Sequence, residues 1–243
     1  MTVTVLEFCV LASVLFAAAC LQGSIGFGLG MMAAPVIALV DPSLLPASLI
    51  LLSVVLTLII TVGERQHLDL RGVGWALVGR VPGSIVGAWL VITLTPDGLV
   101  WLVALAVSAG ILAAFVGWVP PPLRRNLIVA GAASGILGTA TSIGGTPMAI
   151  IWQRAEGPEL RGTMSAFFLV GSCMSLFALA LAGAINEKVL QVAFAMVPFV
   201  LAGFFLSRFL TRFLEPQLTR LVALAASSVG VLLLIGQQLL SQN

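Results

Sequence analysis

A Gly-rich apolar pattern occurs twice in this chain, and it limits the fold more than any other feature. The first copy is LQGSIGFGLGMMAAP, with Gly23, Gly26 and Pro35; the second is ASGILGTATSIGGTP, with Gly135, Gly138 and Pro147. In both, Gly-x-x-Gly is followed nine residues later by Pro. The correspondence continues: Val81-Pro82 with Gly87 matches Val197-Pro198 with Gly203, and LVALA at Leu102 matches LVALA at Leu221. Interrupted hydrophobic segments at corresponding places in two halves are the mark of a membrane transporter.

Composition makes the membrane reading nearly unavoidable. Hydrophobic residues are 60% of the chain and charged ones 8%, against about 25% charged in a soluble domain. Apolar runs close to 20 residues, the length needed to cross a bilayer as helix, recur from end to end. In lipid each segment must satisfy its own backbone, so helices are expected. The absence of period-2 alternation excludes a barrel. A net charge of +2 with no basic cluster larger than Arg124-Arg125 gives no reason to expect nucleic acid. The first run, from Val3, lacks the positive start of a signal peptide and reads as a retained helix. Cys9, Cys20 and Cys173 have neither metal-site nor disulfide spacing and read as small packing residues.

The sequence predicts ten apolar segments. The first half has Val3–Leu21, Leu29–Val40, Leu44–Val62, Leu70–Leu94 and Gly98–Val119. The second has Leu127–Leu137, Ile143–Trp152, Thr163–Ile185, Val189–Leu210 and Gln217–Leu240. The second, sixth and seventh are short and flank the two Gly-rich breaks. Arg65, Arg71, Arg124, Arg125, Arg154, Arg161, Arg208, Arg212 and Arg220 all fall on one side if each interrupted pair crosses twice or dips in and returns. The positive-inside rule then puts both termini outside the cytoplasm. Five segments per half is an odd number, so residues 1–119 and 120–243 form two inverted repeats of an all-α polytopic membrane protein. Pro120-Pro121-Pro122 marks the linker. Trp75, Trp89, Trp101, Trp118 and Trp152 suit an interfacial belt.

The breaks are the first candidates for chemistry. Gln22, Ser24, Gly26 and Gly28 belong to one; Thr139, Thr141, Ser142, Gly144, Gly145 and Thr146 belong to the other. Thr146-Pro147 reads as an N-cap followed by a first-turn proline, and a helix opening there offers backbone N–H groups to an anion. Water access to Ser24 and Thr141 is expected if these breaks line a pathway. The competing reading is close helix packing through small residues. Arg80 is the second candidate. It lies near mid-segment, where an arginine is costly and by default functional; its repeat counterpart is Met196. The competing reading is snorkelling toward the surface. Glu7 is the only acidic residue well inside an apolar run, near its outer end; the others fall in loops or at segment ends, and His67, the single histidine, lies in a charged loop. A Ser–His pair, a metal cluster and a P-loop are all missing, which argues against an enzyme.

The paired breaks ending in Pro35 and Pro147, the motif GSIGFGLGMMAAP, its partner TSIGGTP and Pro82–Gly87 resemble the sulfite exporter TauE/SafE family over nearly the whole chain. The resemblance implies a prokaryotic plasma-membrane permease, without a cofactor, exporting sulfite or an organosulfonate such as sulfoacetate. Its partners would be a small anion and membrane lipid, and a homo-oligomer is compatible with it. A membrane potential negative inside favours anion export by roughly 2.3 kcal/mol per charge per 100 mV. Another anion such as sulfate, import, and a non-transporting assembly subunit are the alternatives.

Overall fold

A computed structural model describes residues 4–116, 120–155, 157–210 and 216–241. Trp118, Glu156, Arg212, Glu215 and the terminal Asn243 lie outside them. The protein is an all-helical membrane protein, and among the described residues it has ten α-helices and no strand. They are α1 (Val5–Ile25), α2 (Leu29–Val40), α3 (Ala47–Gly63), α4 (Leu70–Thr93), α5 (Pro96–Val116), α6 (Arg124–Thr141), α7 (Gly145–Ile151), α8 (Gly157–Leu181), α9 (Glu187–Leu210) and α10 (Pro216–Ser241). Of these, α1, α4, α8 and α9 are long and apolar enough to cross a membrane.

Local chemistry sets several boundaries. Thr4 and Glu7 form a reciprocal capping box at the start of α1, a Thr-x-x-Glu pattern that satisfies two orphan N–H donors. Asp69 caps α4 by accepting from the Gly72 N–H. The breaks differ from their sequence outline. Helix α1 runs through Gly23, and α6 runs through Gly135 and Gly138 to Thr141. Helix α6 is thus longer than the apolar run Leu127–Leu137, because its small and polar residues face protein rather than lipid. The irregular backbone is confined to Gly26–Gly28, where Gly26 (φ 86°) and Gly28 (φ 119°) are left-handed, and to Ser142–Gly144, where Ser142 has φ 64°.

Those in-helix glycines serve close packing. Helices α4 and α6 make the most extensive contact in the protein, followed by α1 with α9 and α3 with α8. A Cβ built on Gly79 would lie 1.9 Å from the Ile128 carbonyl oxygen, and one on Gly131 would lie 1.9 Å from that of Ala76. Gly203 meets the Phe16 carbonyl oxygen at 2.1 Å in the same way, and Gly23 meets Ser207 Oγ at 2.1 Å. Small residues at such crossings let backbones approach, which is how helices associate where lipid removes the hydrophobic incentive. The other face of α4 carries Val78, Val81, Ile85, Trp89 and Ile92, all exposed as a lipid-facing side chain would be.

The two ends of the bundle differ in charge. At one end Glu64, only 8% exposed, accepts from Arg161 at 2.9 Å and Arg208 at 3.3 Å, joining the end of α3, the start of α8 and the end of α9. Arg124 stacks on Trp75, 4.8 Å from its ring centre, bringing the starts of α4 and α6 together. At the other end Lys188 pairs with Asp41, and Gln238 donates to Asp97 at 3.0 Å. Trp152 departs from the interfacial belt. It is 5% exposed and packs edge-on against Phe167 at 6.2 Å, because the short α7 turns it into the protein.

Asp41 yields a pH prediction. Burial raises its pKa, but hydrogen bonds from Lys188 and Ser43 outweigh that and leave it below its ordinary value of 3.8. A carboxylate with a lowered folded pKa contributes stability above its unfolded value and loses it as pH falls through the folded value. Asp41→Asn should cost about 1 kcal/mol at pH 7, the order of a partly exposed ion pair plus a turn cap. The melting difference from wild type should narrow below pH 3.8. A difference that stays constant from pH 7 to 3 would count against the ion pair.

Candidate functional site

The two breaks meet. A Cβ on Gly30, one residue into α2, would sit 2.0 Å from the Ser142 carbonyl oxygen. Thr146 Oγ1 contacts Met31 Sδ at 3.6 Å, and Gly145 lies against Phe27. Helix α2 leads from this point toward the Asp41 end. Helix α7 leads toward Trp152, which packs beside Gly72 at the start of α4. Between the breaks lies a cavity of about 40 Å³, room for a few water-sized atoms and therefore for a small oxyanion.

Arg80 projects from mid-α4 into the wall of this cavity and is 2% exposed. That burial removes the snorkelling geometry. Nη1 donates to Ser134 Oγ at 2.8 Å and lies 3.5 Å from the Ser134 carbonyl oxygen. The guanidinium carbon is 4.9 Å from the Phe167 ring centre and 6.0 Å from that of Phe168. Nε has no hydrogen-bond partner. No carboxylate pairs with Arg80 among the described residues. A buried cation is expensive unless paired, and here it is held by one hydroxyl and aromatic faces.

Gln22 supplies a second donor. Its Oε1 accepts the Leu29 N–H at 3.1 Å, so a side chain of α1 stands in for the missing cap of α2, whose N-cap Gly28 has none. With the oxygen engaged there, Nε2 is buried without a partner. Gly28, Ser142, Gly144 and Gly145 complete the cavity's lining from the expected residues. Phe27, Ser53, Phe168 and Ser172 also line it. Phe27 sits inside the first Gly-rich motif but reads there only as spacing between glycines; Ser53, Phe168 and Ser172 carry no motif, since a lone serine or phenylalanine in an apolar run looks like packing.

The other expected residues lie behind this surface. Ser24 Oγ donates back to the Cys20 carbonyl oxygen. Thr141 is fully buried, donates to the Leu137 carbonyl oxygen and accepts the Ile143 N–H. Thr139 shares a 2.7 Å hydrogen bond with Ser175. Gly26 closes α1 against the Arg161 backbone. Thr146 is not an N-cap: α7 begins at Gly145 with Gly144 as its cap residue, and the Thr146 hydroxyl turns to Met31 instead. These groups shape the breaks, and none of the five borders the cavity.

The sulfite exporter TauE/SafE family matches residues 11–233. The chain belongs to that family. Among curated relatives, it is 28% identical over 227 residues to the "Probable sulfite/organosulfonate exporter TauE" of Cupriavidus necator, covering 88% of this chain and 86% of that protein. No solved structure matches the chain. As a TauE/SafE member it is a multi-pass membrane protein of a family of exporters.

Proposed function

We propose that this protein is a secondary transporter that exports a small sulfur oxyanion or organosulfonate across the plasma membrane. The observation that carries the reading is the pairing, in one interior cavity, of a guanidinium with no carboxylate and a carboxamide N–H without an acceptor. Both are donors, and both lack what an anion would bring. The opening residues of α2 line the same space, and the first N–H groups of a helix favour negative charge. A guanidinium holds a sulfonate or sulfite through two parallel hydrogen bonds. Arg80, Gln22, Gly28, Ser142, Gly144 and Gly145 are the residues assigned to the site. Membrane potential alone favours anion exit, so the reading requires no interior proton carrier.

Residues 1–119 and 120–243 are read as inverted repeats sharing this site. Support comes from the packing: the fourth helix of each half lies on the first helix of the other, α4 on α6 and α1 on α9, and the third helices α3 and α8 lie on each other. The end carrying Glu64, Arg161 and Arg208 is assigned to the cytoplasm by the positive-inside rule, which puts both chain termini outside. A reporter fused after Asn243 should be active only in the extracytoplasmic compartment; a cytoplasmic reporter would break the assignment.

Efflux from proteoliposomes loaded with sulfite, sulfoacetate, taurine, sulfate or chloride tests the function. Sulfite or an organosulfonate should leave faster than chloride and sulfate, and more so under an inside-negative potential. Loss of all selectivity would sink the proposal. Water access is checked with single cysteines at Ser53 and Ser172 in a background lacking the native three. Both should react with a small charged thiol reagent, more slowly when sulfite is present. Inert cysteines would favour a packed, non-transporting scaffold.

A further inference from the structure

Resting on that anion-site reading, we infer that Ser134 is a positioning residue that sets the Arg80 guanidinium for the substrate. Ser134 is 0% exposed. Its hydroxyl donates to the Gly144 carbonyl oxygen at 2.6 Å and accepts from Arg80 Nη1 at 2.8 Å. A hydroxyl has one proton. With that proton committed to Gly144, Ser134 can only accept toward Arg80, so the second break dictates which way the guanidinium is held. A chain of this kind, N–H to hydroxyl to carbonyl, polarises along its length and strengthens each link.

The rest of the cage leaves the guanidinium little freedom. A Cβ on Gly171 would lie 2.0 Å from Arg80 Nε, and one on Gly138 would lie 3.1 Å from Nη2. Phe167 covers one face. Glycine at 171 is therefore demanded by the arginine, not by the helix, and α6 and α8 converge on a side chain of α4. Ser134 is the polar member of this cage, and no contact of Ser134 with the substrate is needed for it to act. Preorganising a charged donor lowers the cost of binding without adding a contact.

The test measures sulfite half-saturation and maximal efflux rate for wild type, Ser134→Ala, Arg80→Lys and the double variant. Ser134→Ala should raise half-saturation about ten- to hundredfold, the scale of a lost hydrogen bond to a charged group. Maximal rate should stay within about twofold, because a residue that positions the binding group acts on affinity rather than on the turnover step. Where Arg80→Lys retains measurable affinity, adding Ser134→Ala should change it little, since the group it positions is gone. A merely structural serine would lower the maximal rate and cost the same factor in both backgrounds; either result overturns the inference. If Ser134→Ala does not fold, Ser134→Cys replaces it, a side chain of similar shape with a weak hydrogen-bonding sulfur. Arg80→Lys indistinguishable from wild type would overturn the anion-site reading, and this inference with it. An impaired Arg80→Lys beside an unaffected Ser134→Ala overturns this inference alone.

Discussion

Arg80→Ala is expected to abolish sulfite binding while leaving a folded protein. The guanidinium is the one buried cation bordering the cavity among the described residues, and it has no carboxylate to satisfy it. Two charge-assisted hydrogen bonds to an oxyanion, at about 1.5–3 kcal/mol each, put the loss at roughly a hundred- to ten-thousandfold or more in affinity. Stability should not fall in step. Removing a desolvated, unpaired charge relieves a cost that offsets the lost contacts with Phe167 and Ser134. Arg80→Lys keeps the charge but loses the planar fork, and should bind at least about tenfold more weakly than wild type. Titration of the purified variants with sulfite decides the matter. Wild-type affinity in both would leave Arg80 without a role in recognition.

Gly131→Ala and Gly79→Ala should be the most damaging substitutions to the fold itself. Each would bring a methyl group to 1.9 Å from a carbonyl oxygen of the facing helix. Even weak C–H···O contacts need a C···O separation of about 3.3 Å, so α4 and α6 must part by more than an ångström. The strain should cost about 3 kcal/mol, at the upper end of overpacking effects. The variants should melt far below wild type in detergent or fail to appear as a monodisperse species. Gly74→Ala and Gly236→Ala are the controls. Nothing lies within 4 Å of a Cβ at either position, and both should be neutral or slightly stabilising. Wild-type melting of Gly131→Ala would mean that α4 and α6 are not packed through this crossing.

The arginine distribution and the glycine crossings are two readings of one sequence that the structure treats differently. Charge placement needs only the ends of segments. The ion pairs of Glu64 with Arg161 and Arg208 gather residues far apart in the chain at one end, as the loop arginines had suggested. Glycine is less legible, because it serves two purposes that look alike in a linear pattern. Gly26 and Gly28 have positive φ and break the chain, whereas Gly23, Gly135 and Gly138 lie inside helices. Only the facing atoms separate the two uses.

By itself the amino-acid order determined the helical membrane class, the ten segments, the doubled breaks and the oddity of an arginine in mid-segment. Each follows from hydropathy, charge and backbone permissiveness, which are local properties. The tertiary structure alone decided which polar groups share a space. Ser24, Thr139, Thr141 and Thr146 look as promising in sequence as Gln22, yet their hydroxyls are used on neighbouring groups. Gln22 Nε2 and Arg80 Nε stay unused because no acceptor faces them, and Nε lies instead against Gly171 of α8. Whether a buried donor is spent or spare depends on atoms from distant parts of the chain, and no residue's own neighbours along the sequence carry that information.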